Sequence, residues 1–167
     1  TLPSPSKKLD KVSVLETSPS AKSLYLSRSQ FTARGFNIES LCVAETENPS
    51  YSRLTLVTSG EDWIIDQIIK RFDNMINVLK VEDLSTSESI QRELLIARVV
   101  PTKSSRPEVL RIADIFRSKV IDVGPKSFAL ELTGTKDKLE AFVEILRPLG
   151  LKEVTRTGLV SVSREKK

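Results

Sequence analysis

Few side chains in this sequence could carry acid–base, nucleophilic or metal chemistry. Its 167 residues include no histidine and one cysteine, Cys42. Histidine is the side chain most often used as a general base near neutral pH, and it is the commonest metal ligand. A lone cysteine forms neither an intramolecular disulfide nor a cysteine metal cluster. The composition therefore excludes hydrolytic triads and zinc sites, and it is typical of a reduced, intracellular protein.

The remaining chemical candidates have simpler structural explanations. The carboxylate pairs Glu61-Asp62 and Glu82-Asp83 lie at a predicted helix start and a predicted strand end, where capping or solvated roles are usual. No GxxxxGK[ST] or GxGxxG loop for phosphate occurs among the six glycines. Cys42 lies in an apolar strand and is interpreted as a buried hydrophobic residue. We therefore predict no catalytic residue and no metal site in this chain.

A small ligand could instead bind at the turn after the first predicted strand. Thr17–Ser23 would lead into a helix, whose free backbone N–H groups and positive dipole end can bind a carboxylate. Asn37, at the start of the next strand, offers an amide oxygen that accepts from an ammonium group. An amino acid carries both charges and would suit this pair. Asn near a glycine in a loop is, however, more often a structural turn residue.

The elements that would hold these residues follow from the apolar periodicity, which changes between two and three-to-four in a regular order. Predicted elements of the first half are strand Val12–Glu16, helix Ala21–Arg34, strands Phe36–Glu45 and Arg53–Thr58, a helix carrying Ile64 to Phe72, and strand Val78–Leu84. Those of the second half are strand Glu93–Val100, a helix begun by a Ser105–Glu108 capping box, strands Lys119–Val123 and Phe128–Thr133, a helix carrying Leu139 to Leu146, and strand Leu151–Ser163 interrupted at Gly158.

Each half therefore reads strand, helix, strand, strand, helix, strand, which is the order of a ferredoxin-like unit. We predict an α+β fold with two ferredoxin-like βαββαβ domains in tandem. The predicted limits are a disordered arm at 1–11, a first domain at 12–84, a linker at 85–91 and a second domain at 92–164. The arm, rich in Pro, Ser and Lys, could remain from an organellar transit segment or from a cropped fragment. Because helices cover one face of each sheet, the uncovered face and edges favour dimerisation.

The charge distribution gives little support to a nucleic-acid or membrane partner. Lys and Arg total 26 against 22 Asp and Glu, for a net charge of +4. The basic residues Lys70, Arg71, Arg98, Arg111, Arg117 and Lys152 are interleaved with acids, which favours a solvated face over RNA binding. No apolar run approaches the ~18 residues that span a bilayer.

A series of short motifs resembles the small, regulatory subunit of acetolactate synthase, also called acetohydroxyacid synthase. In chain order they are RGFNIESL at 34–41, SRLT at 52–55, VLKV at 78–81, QREL at 91–94, DIFRSKVIDV at 114–123, LTG at 132–134, KLEAF at 138–142 and TRTG at 155–158. The motifs occur in the order found in that family and cover about residues 31–164.

The resemblance implies an N-terminal ACT domain, which is a ferredoxin-like effector-binding module, followed by the C-terminal domain of the small subunit. It implies no active site and no cofactor in this chain. Thiamine diphosphate, Mg and FAD are expected on a separate catalytic subunit that condenses pyruvate with pyruvate or 2-oxobutyrate. The small subunit would bind and activate that partner, form a homodimer through its ACT domains, and usually confer feedback inhibition by valine or another branched-chain amino acid.

The family's effector lies between two ACT domains, held by the first strand-to-helix loop of one subunit and the strand start after RGFN of the other. The resemblance therefore assigns effector binding to the following residues: Asn37, Ile38, Ser20, Ala21, Lys22 and Ser23. The loop departs from the family pattern because it has no glycine, and a side chain there can block the approach of a carboxylate. We therefore expect partner activation to survive this departure more readily than valine binding.

Two other functions remain open from the sequence. One is a free-standing ACT-type amino-acid sensor that controls another enzyme or a regulator, and the other is an RNA-binding tandem. The compartment is also open, between the bacterial cytoplasm and an organelle matrix of plastid or mitochondrial type.

Overall fold

The computed structural model describes residues 38–59, 62–85 and 88–165, together with the backbone of 9–17. Within these ranges the chain is α+β, with two mainly antiparallel sheets. It divides into two compact units, one formed by Thr1–Ile90 with Val160–Lys167 and the other by Gln91–Leu159. Each unit is described by itself below.

The first unit contains four strands of one sheet. They are β1 (Leu9–Thr17), β2 (Ile38–Glu45), β3 (Tyr51–Ser59) and β4 (Val78–Asp83), with helix α1 (Asp62–Asp73) between β3 and β4. The strand order is β2-β3-β1-β4, and every neighbouring pair is antiparallel. This is the order of a ferredoxin-like sheet. The helix predicted over Ala21–Arg34 lies outside the described residues.

The core of the first unit forms where α1 covers one face of β3. Residues three and four apart on a helix share a face, and Ile65, Ile68 and Phe72 follow this spacing. They pack with Leu54 and Leu56, which alternate on β3 as strand residues on one face must. Each such fully buried side chain contributes about 1.5–3 kcal/mol through its removal from water.

The second unit has the same strand order and contains two helices. Its elements are β5 (Ser89–Val99), α2 (Arg106–Phe116), β6 (Lys119–Val123), β7 (Phe128–Gly134), α3 (Lys136–Leu146), a 3₁₀ turn (Arg147–Leu149) and β8 (Leu151–Arg156). The sheet order is β6-β7-β5-β8, and β9 (Val160–Ser163) also pairs with β5. The two repeats therefore share one topology, which confirms the predicted tandem.

Both helices of the second unit lie on the same face of its sheet. Their buried residues join the apolar face of β5 and β7 in one cluster that consists of Leu95, Ala97, Val99, Val109, Ile112, Ala113, Phe128, Leu130, Leu132, Leu139, Phe142 and Leu146. The rings of Phe116 and Phe142 meet with centroids 5.1 Å apart where α2 and α3 approach each other. The helix faces predicted from the sequence are confirmed.

Several strand ends differ from the prediction. β1 begins at Leu9, before the predicted Val12, because Leu9 to Lys11 continue the pairing with β3. β5 begins at Ser89, before the predicted Glu93, and Arg164 N donates to Glu88 O at 2.9 Å beside this start. The interruption expected at Gly158 is confirmed, since β8 and β9 are separate strands. The predicted domain limits stay a prediction.

The capping box expected at the start of α2 is wrong. Ser105 is the N-cap residue, but its backbone is helical (φ −90°, ψ −7°) and its side chain makes no capping hydrogen bond. Ser105 Oγ instead accepts from Thr102 N at 3.0 Å, and Glu108 pairs with Arg111 at 2.8 Å. Thr102 supplies a closer partner in the preceding turn, so the side chain does not turn towards the helix.

α2 ends at a residue with a left-handed backbone that is not glycine. Arg117 has φ 56° and ψ 40°, and its N–H bonds to Asp114 O at 3.0 Å. Ser118 N bonds to Ala113 O at 2.8 Å, which completes a Schellman motif. This conformation costs a residue with a Cβ atom roughly 1–2 kcal/mol.

Replacing Arg117 by Gly is therefore expected to stabilise the fold. We expect the free energy of unfolding to rise by about 0.5–1 kcal/mol, because relief of the strain exceeds the extra backbone entropy that Gly loses. Urea denaturation measures the change. Arg117→Ala keeps the Cβ atom and serves as the control, so a gain as large as that of Arg117→Gly would contradict the explanation.

Gly150, which follows the 3₁₀ turn, has less space for a Cβ atom than the other glycines that the structure describes. It has φ 101°, and its carbonyl accepts from Val100 N at 2.8 Å. A Cβ atom there would lie 2.3 Å from Val100 O, which is fixed in the backbone. Gly150 therefore determines the path by which the chain passes from α3 and the 3₁₀ turn into β8.

Gly150→Ala is expected to destabilise the protein by about 3 kcal/mol, through both strain and the clash with Val100. Thermal and urea unfolding measure the loss. Gly134→Ala is the matched control, since its nearest neighbour is the flexible Lys138 side chain at 3.0 Å, and it should cost less than about 0.5 kcal/mol. Equal losses in the two variants would contradict this assignment.

Candidate functional site: the β2 edge and the sheet ends

The structure describes only part of the predicted effector site. Ser20, Ala21, Lys22, Ser23 and Asn37 lie outside the described residues. Ile38 is described as the first residue of β2, and Thr17, which begins the predicted loop, is the last residue of β1.

The side chain of Ile38 takes part in the core, which leaves its backbone as the part that the predicted site could use. The side chain is half-buried and packs against the core of the first unit. Its backbone pairs with Thr58, and a bulge follows between Ile38 and Ser40. Bulges bend a strand and shift its register against the neighbouring strand. The sequence analysis named Ile38 as a binding residue without distinguishing its side chain from its backbone.

Thr17 and Ile38, the described residues nearest to the two halves of the predicted site, lie at opposite ends of one sheet. Both β1 and β2 pair with β3, where Thr17 faces Tyr51 and Ile38 faces Thr58. Along β3 these positions are separated by about 23 Å, at a rise of ~3.3 Å per residue. The end of β1 and the start of β2 therefore lie at different ends of the same sheet.

β2 is an edge strand of the first sheet, with β3 on one side. Leu41 is partly exposed on it, and Cys42 is half-buried rather than buried as the sequence suggested. The reason is position, since a residue on an edge strand has a neighbouring strand on one side only. β3, by contrast, buries residues on both faces, Leu54 and Leu56 on one and Thr55 and Val57 on the other.

The carboxylates that could have formed a catalytic pair have ordinary partners. Glu82 pairs with Lys80 on β4, and Asp83 Oδ1 accepts from Ser85 N at 2.8 Å. Asp62 begins α1, and Glu61 lies outside the described residues. The described members of these pairs thus take the solvated and turn-forming roles that were expected of them.

Two of the basic residues considered for nucleic-acid binding are also paired. Arg98 lies 3.5 Å from Glu153, and Arg111 lies 2.8 Å from Glu108. In the ranges 38–59, 62–85 and 88–165 no group of three or more His, Cys, Asp or Glu side chains could hold a metal ion. Among the helices of the described chain, none has the length and apolar character to cross a membrane.

One group of contacts was missed by sequence reasoning. Arg156 Nη2 lies 3.1 Å from Glu93 Oε2, and these side chains are 33 % and 10 % exposed. The next residue, Thr157, donates its N–H to Leu94 O at 3.1 Å, while its Oγ1 accepts from Leu94 N at 3.2 Å. We name these four residues the β5–β8 tie.

Along the sequence, the residues of the tie lie near the two points at which the chain passes from one unit to the other. Those crossings are Ile90 to Gln91 and Leu159 to Val160. The sequence does contain a signal for this ion pair, because Glu93 lies on the same period-two face of the strand as Leu95 and Ala97. An acidic residue on a buried face requires a cation, and Arg156 supplies it.

The comparisons with known proteins extend over both units. A family model described as an AHAS small subunit-like ACT domain matches residues 28–80, and one described as the small subunit of acetolactate synthase matches residues 92–165. The tandem topology and these matches define an ACT-containing protein with a second ferredoxin-like domain.

Individual relatives agree with the family models. An acetolactate synthase small subunit of Haemophilus influenzae is 46 % identical over 82 % of this chain and 85 % of its own length. A probable acetolactate synthase small subunit of Methanothermobacter thermautotrophicus is 42 % identical over 80 % of each chain. The crystal structure of the Thermotoga maritima small subunit has a TM-score of 0.86 at 32 % identity, covering 95 % of this chain and 99 % of that one. The chain belongs to the acetolactate synthase small-subunit family.

Breaking the β5–β8 tie is expected to weaken the second unit. In Arg156→Met the nearly buried Glu93 carboxylate loses the cation beside it. We expect the free energy of unfolding to fall by about 2 kcal/mol. Arg98→Met is the matched control, since Arg98 and Glu153 are 52 % and 64 % exposed. It should cost less than about 0.5 kcal/mol. Urea denaturation compares the variants, and similar losses would show that the Glu93–Arg156 pair is not special.

Proposed function

We propose that this chain is the non-catalytic regulatory subunit of an acetolactate synthase. It binds the catalytic subunit, raises its activity, and mediates feedback inhibition by valine or a related branched-chain amino acid. The observation that carries the proposal is the family membership, which extends over both units of the chain. Thiamine diphosphate, Mg and FAD belong to the catalytic subunit in this proposal. Such a partner lies inside the cell, in the bacterial cytoplasm or an organelle matrix.

The effector site is completed by a second copy of the chain. The end of β1 and the start of β2 lie at opposite ends of one sheet. A second β2 placed antiparallel beside the first reverses that order, so the β2 start of one copy approaches the β1 loop of the other. Asn37 and the Ile38 backbone of one subunit then bind the effector with Ser20–Ser23 of its partner. An amino acid that fits one arrangement of this dimer better than another shifts the conformational equilibrium of the holoenzyme. The coupling free energy is typically ~1–3 kcal/mol.

The activity of the holoenzyme tests the proposal. Adding this chain to its cognate catalytic subunit should raise the rate of acetolactate formation several-fold, and valine should reverse part of the gain. The rate is measured with and without the chain over a range of valine concentrations. Absence of activation contradicts the regulatory assignment. Activation without valine sensitivity contradicts the effector site alone, and it is the result expected if the loop without glycine blocks the carboxylate.

Asn37→Ala isolates the effector site within the same assay. Loss of one charge-assisted hydrogen bond to the ammonium group should raise the valine concentration for half-inhibition about tenfold, with activation unchanged. Asn74→Ala is the control, since Asn74 is an exposed loop residue whose amide bonds to Lys70 O at 2.6 Å. If Asn37→Ala left inhibition as in the parent chain, the effector would bind elsewhere.

A further inference from the structure

Three loops of the second unit meet at one end of its sheet. They are the segments 100–105, 124–127 and 147–150. The first follows β5, the second precedes β7 and the third leads into β8. Val99, at the end of β5, pairs with Phe128 at the start of β7 and with Leu151 at the start of β8. The register therefore brings the three loops side by side.

This end of the second unit carries cations without acids. With the first residues of α2 and β8 included, the segments 100–107, 124–127 and 147–152 contain five Lys or Arg and no Asp or Glu. Arg147 is paired with Glu144 at 2.8 Å. We name the other four cations the cationic end; they are Lys103, Arg106, Lys126 and Lys152. In the described part of the chain none of these four forms an ion pair.

The guanidinium of Arg106 is held in position although no carboxylate holds it. It stacks on the ring of Phe128, 4.4 Å from the centroid, and Nη1 donates to Pro125 O at 3.3 Å. A guanidinium has five N–H donors, so others remain for a partner. Because the group is already ordered, a partner that binds it loses less conformational entropy.

The positive charge lies where the fold by itself would favour negative charge. The N-terminus of a helix carries the positive end of its dipole, so acids stabilise it and cations do not. Arg106 begins α2, and Lys103 lies in the loop before it. Glu108 is the acid of the first turn, but it is paired with Arg111 at 2.8 Å. Local choices that oppose the stability of the fold are typical of functional sites.

We propose that the cationic end docks on an acidic surface of the catalytic subunit. The inference rests on the proposed function and adds to it the surface of this chain that makes the contact. Lys103, Lys126 and Lys152 are exposed on different loops. Such a spread suits an extended acidic surface better than a single small anion, which would bind in a cavity. Complementary charge of this kind speeds the encounter and fixes the orientation of two proteins.

An acidic protein surface fits this end better than a nucleic acid does. Proteins that bind single strands stack bases on exposed aromatic rings, but Phe128 is 3 % exposed and lies beneath Arg106. Leu110, one turn beyond Arg106 on α2, is 40 % exposed. An apolar residue beside charged groups is usual at the contact between two proteins.

Charge neutralisation in the full-length chain tests the proposal. Lys103→Gln/Lys126→Gln removes two exposed charges and leaves the core unchanged. The concentration of chain that gives half-maximal activation of the catalytic subunit should rise about tenfold, with maximal activation unchanged. The affinity of the parent chain should fall between ~50 and ~300 mM NaCl, and that of the variant should fall less, because salt screens exposed charges. Titration of the catalytic subunit at both salt concentrations measures these changes, and circular dichroism verifies the fold.

Lys136→Gln/Lys138→Gln is the matched control. It removes the same charge from the same unit at the start of α3, which follows the other end of β7. We expect it to activate at the same concentration as the parent chain and with the same salt dependence. Arg106→Lys keeps the charge but loses the planar group that stacks on Phe128, and it should weaken the interaction by about threefold.

Two results would overturn the docking proposal and leave the proposed function standing. In the first, the parent chain activates the catalytic subunit and Lys103→Gln/Lys126→Gln does so at the same concentration and with the same salt dependence. If that variant had lost RNA binding in a gel shift, the cationic end would belong to a nucleic acid. In the second, the control weakens activation as much as the variant does, so that net charge alone decides. A parent chain that does not activate would reject the proposed function and the docking proposal together.

Discussion

Hydrogen bonding between strands ends at the outermost strands of a sheet, and that constraint governs how this protein can act. The interiors are closed, since β3 and β5 have neighbours on both sides and α2 with α3 cover the second sheet. The outer strands, the loops at the strand ends and the face of the second sheet opposite its helices remain available for partners, since Ile96 is exposed on that face. β2 and β6 each occupy the second-strand position of their repeat, and each forms an edge with a bulge. Contact through a strand edge is therefore one mode of association that the fold offers.

The strand register explains why the proposed effector site needs two chains. β1 and β2 both run antiparallel to β3, so the end of β1 and the start of β2 lie at opposite ends of the sheet. In the proposed function, effector binding stabilises a particular dimer, so its free energy is available to change the conformation of a bound enzyme. A site contained in one protomer would have no such effect on assembly.

The fold was largely predictable because its signals are local and repeated. Alternation in Glu93–Val99 and helical spacing from Leu139 to Leu146 each placed the core face correctly. The prediction failed where a competing local partner decided the geometry, as at Ser105, whose hydroxyl bonds in the preceding turn. It also missed the pairing of Glu93 with Arg156, since β-strand registers between distant segments do not follow from periodicity. The effector residues could be assigned only through resemblance, and of these Ile38 alone is described.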